Sequence, residues 1–262
     1  MKELILGNGF IGKRMHKEFD CLVCTKHISI LHDVINIIRE YKPKVIINCI
    51  GYTGRNVDDC ETHKDLTLWA NTFVPTMLAE GCAAEGVKLV HLSSGCIYDQ
   101  EYHPTAITEA DRPDFFNLFY SRTKIYAEEI VKFYPCNLIV RPRVPLDCIP
   151  HPRNILTKLL TFDRVIDTPQ SVTYLPDFFK AVRHLIDMGA SGIYNVVNKG
   201  ELRYPQLLDI YGADYHWIPR NELGLVRTDL ILSVGKLERT GFKMPYIHER
   251  LEDCVKEYKK WI

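Results

Sequence analysis

The sequence predicts an α/β fold: an open, doubly wound parallel sheet with a smaller C-terminal lobe. Three observations predict it. From residue 2 to residue 141, short apolar runs of strand length alternate with longer amphipathic stretches, the pattern of a parallel sheet with right-handed crossovers. A glycine-rich turn, Gly7 to Gly12, lies between the first apolar run and the first helical stretch. Beyond Arg141 the alternation breaks, with Pro142, Pro145, Pro150 and Pro152 in quick succession.

Residues 2–6 form the first strand and 13–19 a helix, joined by Gly7-Asn8-Gly9-Phe10-Ile11-Gly12. This is G-x-G-x-x-G in the strand–turn–helix setting that gives it meaning. The first glycine permits the turn, the second lets a pyrophosphate approach the backbone, and the third lets helix pack on strand, while the helix N-terminus offers N–H groups to phosphate. Residues 21–25 form the second strand. An acid at its end is the usual partner of an NAD ribose, but here the strand ends Cys24-Thr25-Lys26-His27. Lys26 or His27 would suit a 2′-phosphate, so the expected cofactor is NADP(H).

Residues 28–41 read as an amphipathic helix and 44–50 as a buried strand, delivering Gly51-Tyr52-Thr53-Gly54-Arg55-Asn56 to the sheet edge where ligands bind. Residues 57–85 read as mainly helical, with Asn71 inside as a structural residue near the cofactor. Residues 87–93 form the next buried strand and carry Ser94 and Cys96 to the same edge. Residues 99–116 read as an irregular loop, 120–134 as a helix and 136–140 as a strand. In the C-terminal part, 154–160, 175–188 and 247–261 read as helices and 193–197 as a strand that returns to the main sheet. The dinucleotide-binding domain is therefore expected at 1–141 plus about 174–198, and the substrate lobe at 142–173 and 199–262.

Composition excludes several classes. Hydrophobic residues make up 46% and charged residues 25% of the chain, enough for a sizeable core and against disorder. Lys plus Arg and Asp plus Glu both number 33, with no basic stripe for nucleic acid and no polybasic cluster for a membrane surface. Met1 leads directly into a strand, and no apolar run is long enough to span a bilayer. Nine cysteines without an export signal read as reduced thiols in the cytoplasm. Cys21-Leu22-Val23-Cys24 lacks a second ligand pair, so it reads as structural, and no metal site is expected.

Tyr120 and Lys124 stand four positions apart, on one face of a helix. With Ser94 they supply a hydroxyl, a phenol and an ammonium, a proton-donating set for a carbonyl. A nearby cation favours the phenolate and brings the phenol pKa closer to neutrality.

The glycine loop, Ser94 and Tyr120-Ser121-Arg122-Thr123-Lys124 resemble an extended short-chain dehydrogenase/reductase with a Rossmann-type domain. Residues 51–58, Gly95-Cys96-Ile97-Tyr98, Phe119-Tyr120 and Pro152-Arg153-Asn154-Ile155-Leu156-Thr157-Lys158 sharpen this to the bifunctional nucleotide-rhamnose synthase/epimerase-reductase branch, relatives of dTDP-4-dehydrorhamnose reductase. The similarity runs from about residue 1 to residue 210. One departure is the glycine loop, a residue shorter than the G-x-x-G-x-x-G usual in that branch.

The resemblance implies a substrate, UDP-4-keto-6-deoxy-D-glucose, epimerised at C3 and C5 and reduced at C4 by NADPH to UDP-L-rhamnose. It implies that Tyr120 protonates O4, that Ser94 hydrogen-bonds O4, and that Lys124 tunes Tyr120 and holds the nicotinamide ribose. It matches the epimerase acid/base pair to Cys96 and Lys158, a pair for which a plain reductase has no use. Gly7, Asn8, Gly9, Phe10, Ile11, Gly12, Lys26 and Gly51 are the further cofactor candidates, and Arg55, Arg143, Arg153 and Asn154 the further substrate candidates. A reductase lacking the epimerase step and a non-catalytic dinucleotide-binding regulatory subunit stay open as alternatives. So do UDP against dTDP and the oligomeric state, for which a homodimer is one option.

Overall fold

Strand β1 (Glu3–Leu6) is buried at all four positions, as an interior strand covered by helices on both faces must be. The computed structural model describes residues 2–103 and 105–262, without the side chain of Tyr102. After β1 come α1 (Phe10–Phe19), β2 (Leu22–Cys24), α2 (Leu31–Tyr41), β3 (Val45–Asn48), α3 (Asp59–Thr62), α4 (Lys64–Leu68), α5 (Val74–Glu85), β4 (Lys88–Leu92), α6 (Phe119–Val131) and β5 (Leu138–Arg141). Then follow β6 (Pro145–Leu146), α7 (Ile155–Leu159), β7 (Arg164–Ile166), β8 (Thr173–Tyr174), α8 (Leu175–Asp187), β9 (Gly192–Asn195), α9 (Tyr204–Tyr211), β10 (His216–Ile218), α10 (Gly235–Glu238) and α11 (His248–Tyr258).

The chain divides into two units. The first comprises Met1–Ile97, Phe115–Arg141 and Ile186–Tyr194; the second comprises Tyr98–Asp114, Pro142–Leu185 and Asn195–Ile262. The main sheet has the order β2-β1-β3-β4-β5-β9, and β1 to β5 pair in parallel. The chain moves from β1 out to β2 and then back across to β3, so the strand order reverses between β1 and β3. Outside the carboxyl ends of strands at such a reversal lies the crevice where open α/β sheets bind ligands. On one face Leu4, Leu6, Ile46 and Leu89 pack against Val34, Ile37 and Ile38 of α2 and Leu78 and Cys82 of α5.

The segment read as one helix over 57–85 is broken. His63, at φ −114° and ψ 58°, separates α3 from α4, and Trp69–Phe73 forms a π-helical turn. Pro75 has no N–H for the Asn71 carbonyl, and the ladder before it slips by one residue, with Val74 N–H donating to Trp69 O. The first helix starts at Phe10, earlier than expected, because the glycine loop enters it without a spacer.

The second unit holds two small parallel pairings, β6 with β8 and β7 with β10. Its core gathers Leu146, Leu156, Leu159, Leu207, Leu251 and Tyr258. It also takes in 98–114, where Ile107 N–H donates to Ile231 O and Ser233 N–H to Ile107 O, both at 2.8 Å. The expectation grouped those residues with the first unit; their polar partners lie near residue 232, out of reach of a sequence pattern. None of the nine cysteines, all described, forms a disulfide.

Candidate active site

The glycine loop fits a dinucleotide. Gly7 sits at φ 101°, where a Cβ would lie 2.8 Å from the Cys49 carbonyl carbon, and a Cβ on Gly12 would lie 2.2 Å from Gly7 O. Both must be glycine for loop, β3 and α1 to close on one another. A Cβ on Gly9 would meet nothing within 4 Å, so that face of the loop is open to a ligand. No side chain caps α1, whose first N–H groups are available to an anion. Alongside is a cavity of about 440 Å³ lined by Asn8, Lys26, Ile28, Tyr52, Leu66 and Trp69, among others. Trp69 is fixed by a 3.2 Å bond from Nε1 to Ile28 O. Asn8 thus borders the cavity, Phe10 turns its side chain into the core, and Ile11 is half-buried on α1. Lys26 reaches the cavity but is ion-paired with Glu40.

Tyr120 and Lys124 lie one turn apart on α6, both buried. Lys124 Nζ donates to Leu92 O at 3.1 Å, joining the helix to the end of β4 two residues before Ser94. Burial lowers the Lys124 pKa to about 8, against the opposing pull of the Glu128 carboxylate. Gly51, after β3, comes close enough that a Cβ there would lie 3.6 Å from Lys124 Nζ. Ser121 Oγ donates to Cys96 O at 2.6 Å, and Cys96 N–H donates to Ser94 Oγ at 3.1 Å. Those two bonds hold the Ser94–Cys96 loop against the first turn of α6. Ser94 is buried and Cys96 half-buried. Arg55 has a 94% exposed side chain, 3.6 Å from Asp59.

Asn71 apart, the residues that support this site were not visible in the sequence. Asn71 sits in the π-helical turn. Its Oδ1 accepts from Tyr52 N–H at 2.8 Å, and its Nδ2 donates to Tyr52 O at 2.9 Å and to Thr123 Oγ1 at 3.3 Å. Asn71 therefore joins the loop after β3 to α6, a structural role. Glu61 Oε1 accepts from Phe119 N–H at 2.6 Å, placing a carboxylate at the positive end of α6. His91 is buried within β4, with Asn48 Nδ2 donating to its Nδ1 at 3.1 Å. Burial, then the charge of Lys124, holds its pKa well below the usual histidine range. Arg141 and Glu128 form a buried ion pair, with Arg141 Nε at 2.9 and 3.1 Å from the two carboxylate oxygens. The only sequence signal for it was an Arg at a strand end and a Glu on the inner face of a helix.

The remaining candidates lie in the second unit. Arg143 is buried, its guanidinium donating to Gln170 Oε1 and Thr228 O within its own unit. Asn154 caps α7 through Leu156 N–H and is fully buried. Its Oδ1 also accepts from Asp147 N–H, and its Nδ2 donates to Asp147 O at 2.7 Å and Ile149 O at 3.0 Å. The amide is thus bonded on both its oxygen and its nitrogen within its own unit. Arg153 is exposed, with its backbone N–H donating to His151 Nδ1. Lys158, in the last turn of α7, is half-buried, and no hydrogen bond or ion pair holds its ammonium among the described residues. Burial, then the charges of Arg153 and Arg227, lowers its pKa.

A family model described as the RmlD substrate binding domain matches residues 4–164, more than half of the chain. The chain belongs to the RmlD-like dTDP-4-dehydrorhamnose reductase family. Among RmlD relatives, a bifunctional dTDP-4-dehydrorhamnose 3,5-epimerase/reductase of Arabidopsis thaliana is 34% identical over 189 residues, covering 70% of this chain and 62% of that protein. A trifunctional UDP-glucose 4,6-dehydratase/3,5-epimerase/reductase of the same plant is 34% identical over 194 residues, covering 71% of this chain and 28% of its own length. The chain thus spans less than two thirds of these two relatives. The UDP-rhamnose synthase L780 of Acanthamoeba polyphaga mimivirus shares the fold, with a TM-score of 0.90, 24% identity and coverage of 98% and 99%. So does a Bacillus anthracis dTDP-4-dehydrorhamnose reductase in complex with NADP, at TM-score 0.85, 24% identity and the same coverage. Among the described residues of the RmlD-family chain, no group of three or more His, Cys, Asp or Glu is placed to hold a metal, and no helix is long and apolar enough to cross a membrane.

Proposed function

We propose that this chain reduces the C4 ketone of a UDP-linked 4-keto-6-deoxyhexose with NADP(H) as its cofactor. The observation that carries the reading is the buried pairing of Tyr120 and Lys124 on α6, held to the end of β4 just before Ser94 by the Lys124–Leu92 hydrogen bond. The glycine loop, the N-terminus of α1, Gly51 and Lys124 would hold the dinucleotide. When bound, NADPH supplies the hydride that C4 receives. Tyr120 gives its phenolic proton to O4, and Ser94 donates a hydrogen bond to the same oxygen. Donors preorganised at a developing oxyanion each contribute about 10²–10³ in rate. The Lys124 ammonium lowers the cost of phenolate at Tyr120.

The finer reading adds epimerisation at C3 and C5. Both carbons flank the C4 ketone, so their protons are acidic only because an enolate can form on O4, and the donors that serve reduction serve that enolate too. Cys96 and Lys158 are the acid/base residues of this step. In support, Cys96 has its backbone fixed at N–H and C=O, and burial lowers the Lys158 pKa, the direction that favours a neutral amine. The plant relatives that carry both activities by name support the same reading.

The test is purified protein with NADPH and UDP-4-keto-6-deoxy-D-glucose in D2O, followed by absorbance and by NMR of the sugar. UDP-L-rhamnose deuterated at C3 and C5 establishes both reactions. NADPH oxidation without exchange leaves the reductase alone and retires Cys96 and Lys158 from proton transfer. No oxidation with this substrate, nor with the dTDP-linked or 3,5-epimerised ketone, removes the reductase reading.

A further inference from the structure

Sequence puts no acid at the end of β2, where a carboxylate would bind the ribose 2′-hydroxyl of an unphosphorylated dinucleotide. The fold supplies one from elsewhere. Glu40, the penultimate residue of α2, reaches back to Lys26, and Nζ and Oε2 form an ion pair. Lys26 borders the cavity together with Thr25 and His27, and its ammonium also lies 5.8 Å from the centroid of the Tyr41 ring. Among the described residues lining the cavity, the lysine placed to meet a 2′-phosphate is therefore already bonded to a carboxylate.

We propose that Glu40 is a specificity-determining residue of the dinucleotide pocket, a carboxylate that competes with a 2′-phosphate for Lys26 and weakens this chain's preference for the phosphorylated dinucleotide. The proposal rests on the dinucleotide-binding reading above. Lys26 and Glu40 are 51% and 50% exposed, and ion pairs so exposed to water are weak. A ligand can thus take Lys26 from Glu40 at little cost, but it cannot remove the carboxylate. An incoming 2′-phosphate meets one attractive and one repulsive neighbour. A free 2′-hydroxyl carries no charge for the carboxylate to repel. The Glu40 hydrogen bond is the main reason the Lys26 pKa is raised, in keeping with a lysine already engaged.

The probes are adenosine 2′,5′-bisphosphate and adenosine 5′-monophosphate, titrated calorimetrically into wild-type protein and into Glu40→Gln and Lys26→Met at low salt. Glu40→Gln is expected to tighten the bisphosphate by roughly three- to tenfold and to leave the monophosphate unchanged or slightly weaker. The gain should shrink in 0.5 M salt, because an exposed like-charge repulsion is screened (the Debye length there is about 4 Å). Lys26→Met is expected to weaken the bisphosphate alone. An unchanged ratio of the two affinities in Glu40→Gln overturns the proposal while leaving the dinucleotide pocket standing. Wild-type protein that binds neither nucleotide overturns the pocket itself, and the role of Glu40 with it.

Discussion

Replacing Glu128 by Gln tests the buried support beneath α6, the helix that carries Tyr120 and Lys124. Arg141 and Glu128 have side chains 1% and 2% exposed, and the guanidinium engages both carboxylate oxygens. Glutamine fills the same volume, so no cavity opens and the charge alone is lost. Arg141 is left as a buried cation without a counter-charge on Glu128, and breaking such a pair from one side costs about 3–5 kcal/mol. For a chain of this size a urea m-value near ~3 kcal/mol/M converts that loss into a midpoint lower by about 1 M or more. Urea titration at pH 7 followed by far-UV circular dichroism reads it directly. The double variant Glu128→Leu, Arg141→Met removes both charges and should regain most of the loss, because apolar replacement of a whole buried pair is close to neutral or stabilising. A midpoint shift under about 0.3 M in the single variant, or a double variant no more stable than the single, would show that the pair does not carry the buried charge as argued.

Tyr120→Phe should lower kcat for the ketone by about 10²–10⁴ while NADPH binding, read by fluorescence titration, stays as in the wild type; equal loss in both would make Tyr120 a binding residue. Lys124 is cationic below its pKa of about 8 and neutral above it, so reduction should fall as pH rises through about 8, and a rate still climbing at pH 9 refutes the need for its charge. The same shift sets a stability trend. Between about 8 and 10.5 the unfolded chain holds the Lys124 proton and the folded chain does not, so this group makes stability rise with pH across that window. Asn154→Ala should destabilise the second unit by about 2–4 kcal/mol, through the lost cap of α7 and the lost hydrogen bonds to the Asp147 and Ile149 backbone. A loss of activity at full stability would instead return Asn154 to the substrate. Cys96→Ala should abolish deuterium exchange at C3 and C5 while NADPH still binds; exchange that persists would assign the proton transfer elsewhere.

The fold was legible because the physics that makes a parallel sheet also writes its sequence. Strands buried on both faces must be runs of apolar residues, as Val45–Asn48 and Lys88–Leu92 nearly are, and the turn after β1 must be glycine where Gly12 would otherwise strike Gly7 O. Tyr120 and Lys124 were legible because helical spacing is local. The polar groups held by distant partners were not. Asn154 reads the same in sequence whether its amide faces a ligand or the backbone of Asp147 seven residues back, and only the fold decides. Arg143 likewise takes its partners from residues 170 and 228. Glu40 lay at the end of a helix, with nothing in its neighbours to show that Lys26, fourteen residues earlier, would meet it.

The difference between the legible and illegible parts bears on how the site works. The proposed reduction needs Lys124 charged while buried, and two elements oppose its desolvation: the Leu92 carbonyl accepts a hydrogen bond from Nζ at 3.1 Å, and Glu128, one turn further along α6, lies near enough to favour the ammonium. Glu128 is in turn ion-paired with Arg141, at the end of β5. The charge on Lys124 thus depends on a chain of groups running from β5 through α6 to the end of β4. In this reading a reductase site needs more than a Tyr and a Lys at helical spacing. Here the lysine has a carboxylate one turn along its helix and that carboxylate has a cation paired with it, a second tier set by tertiary contacts.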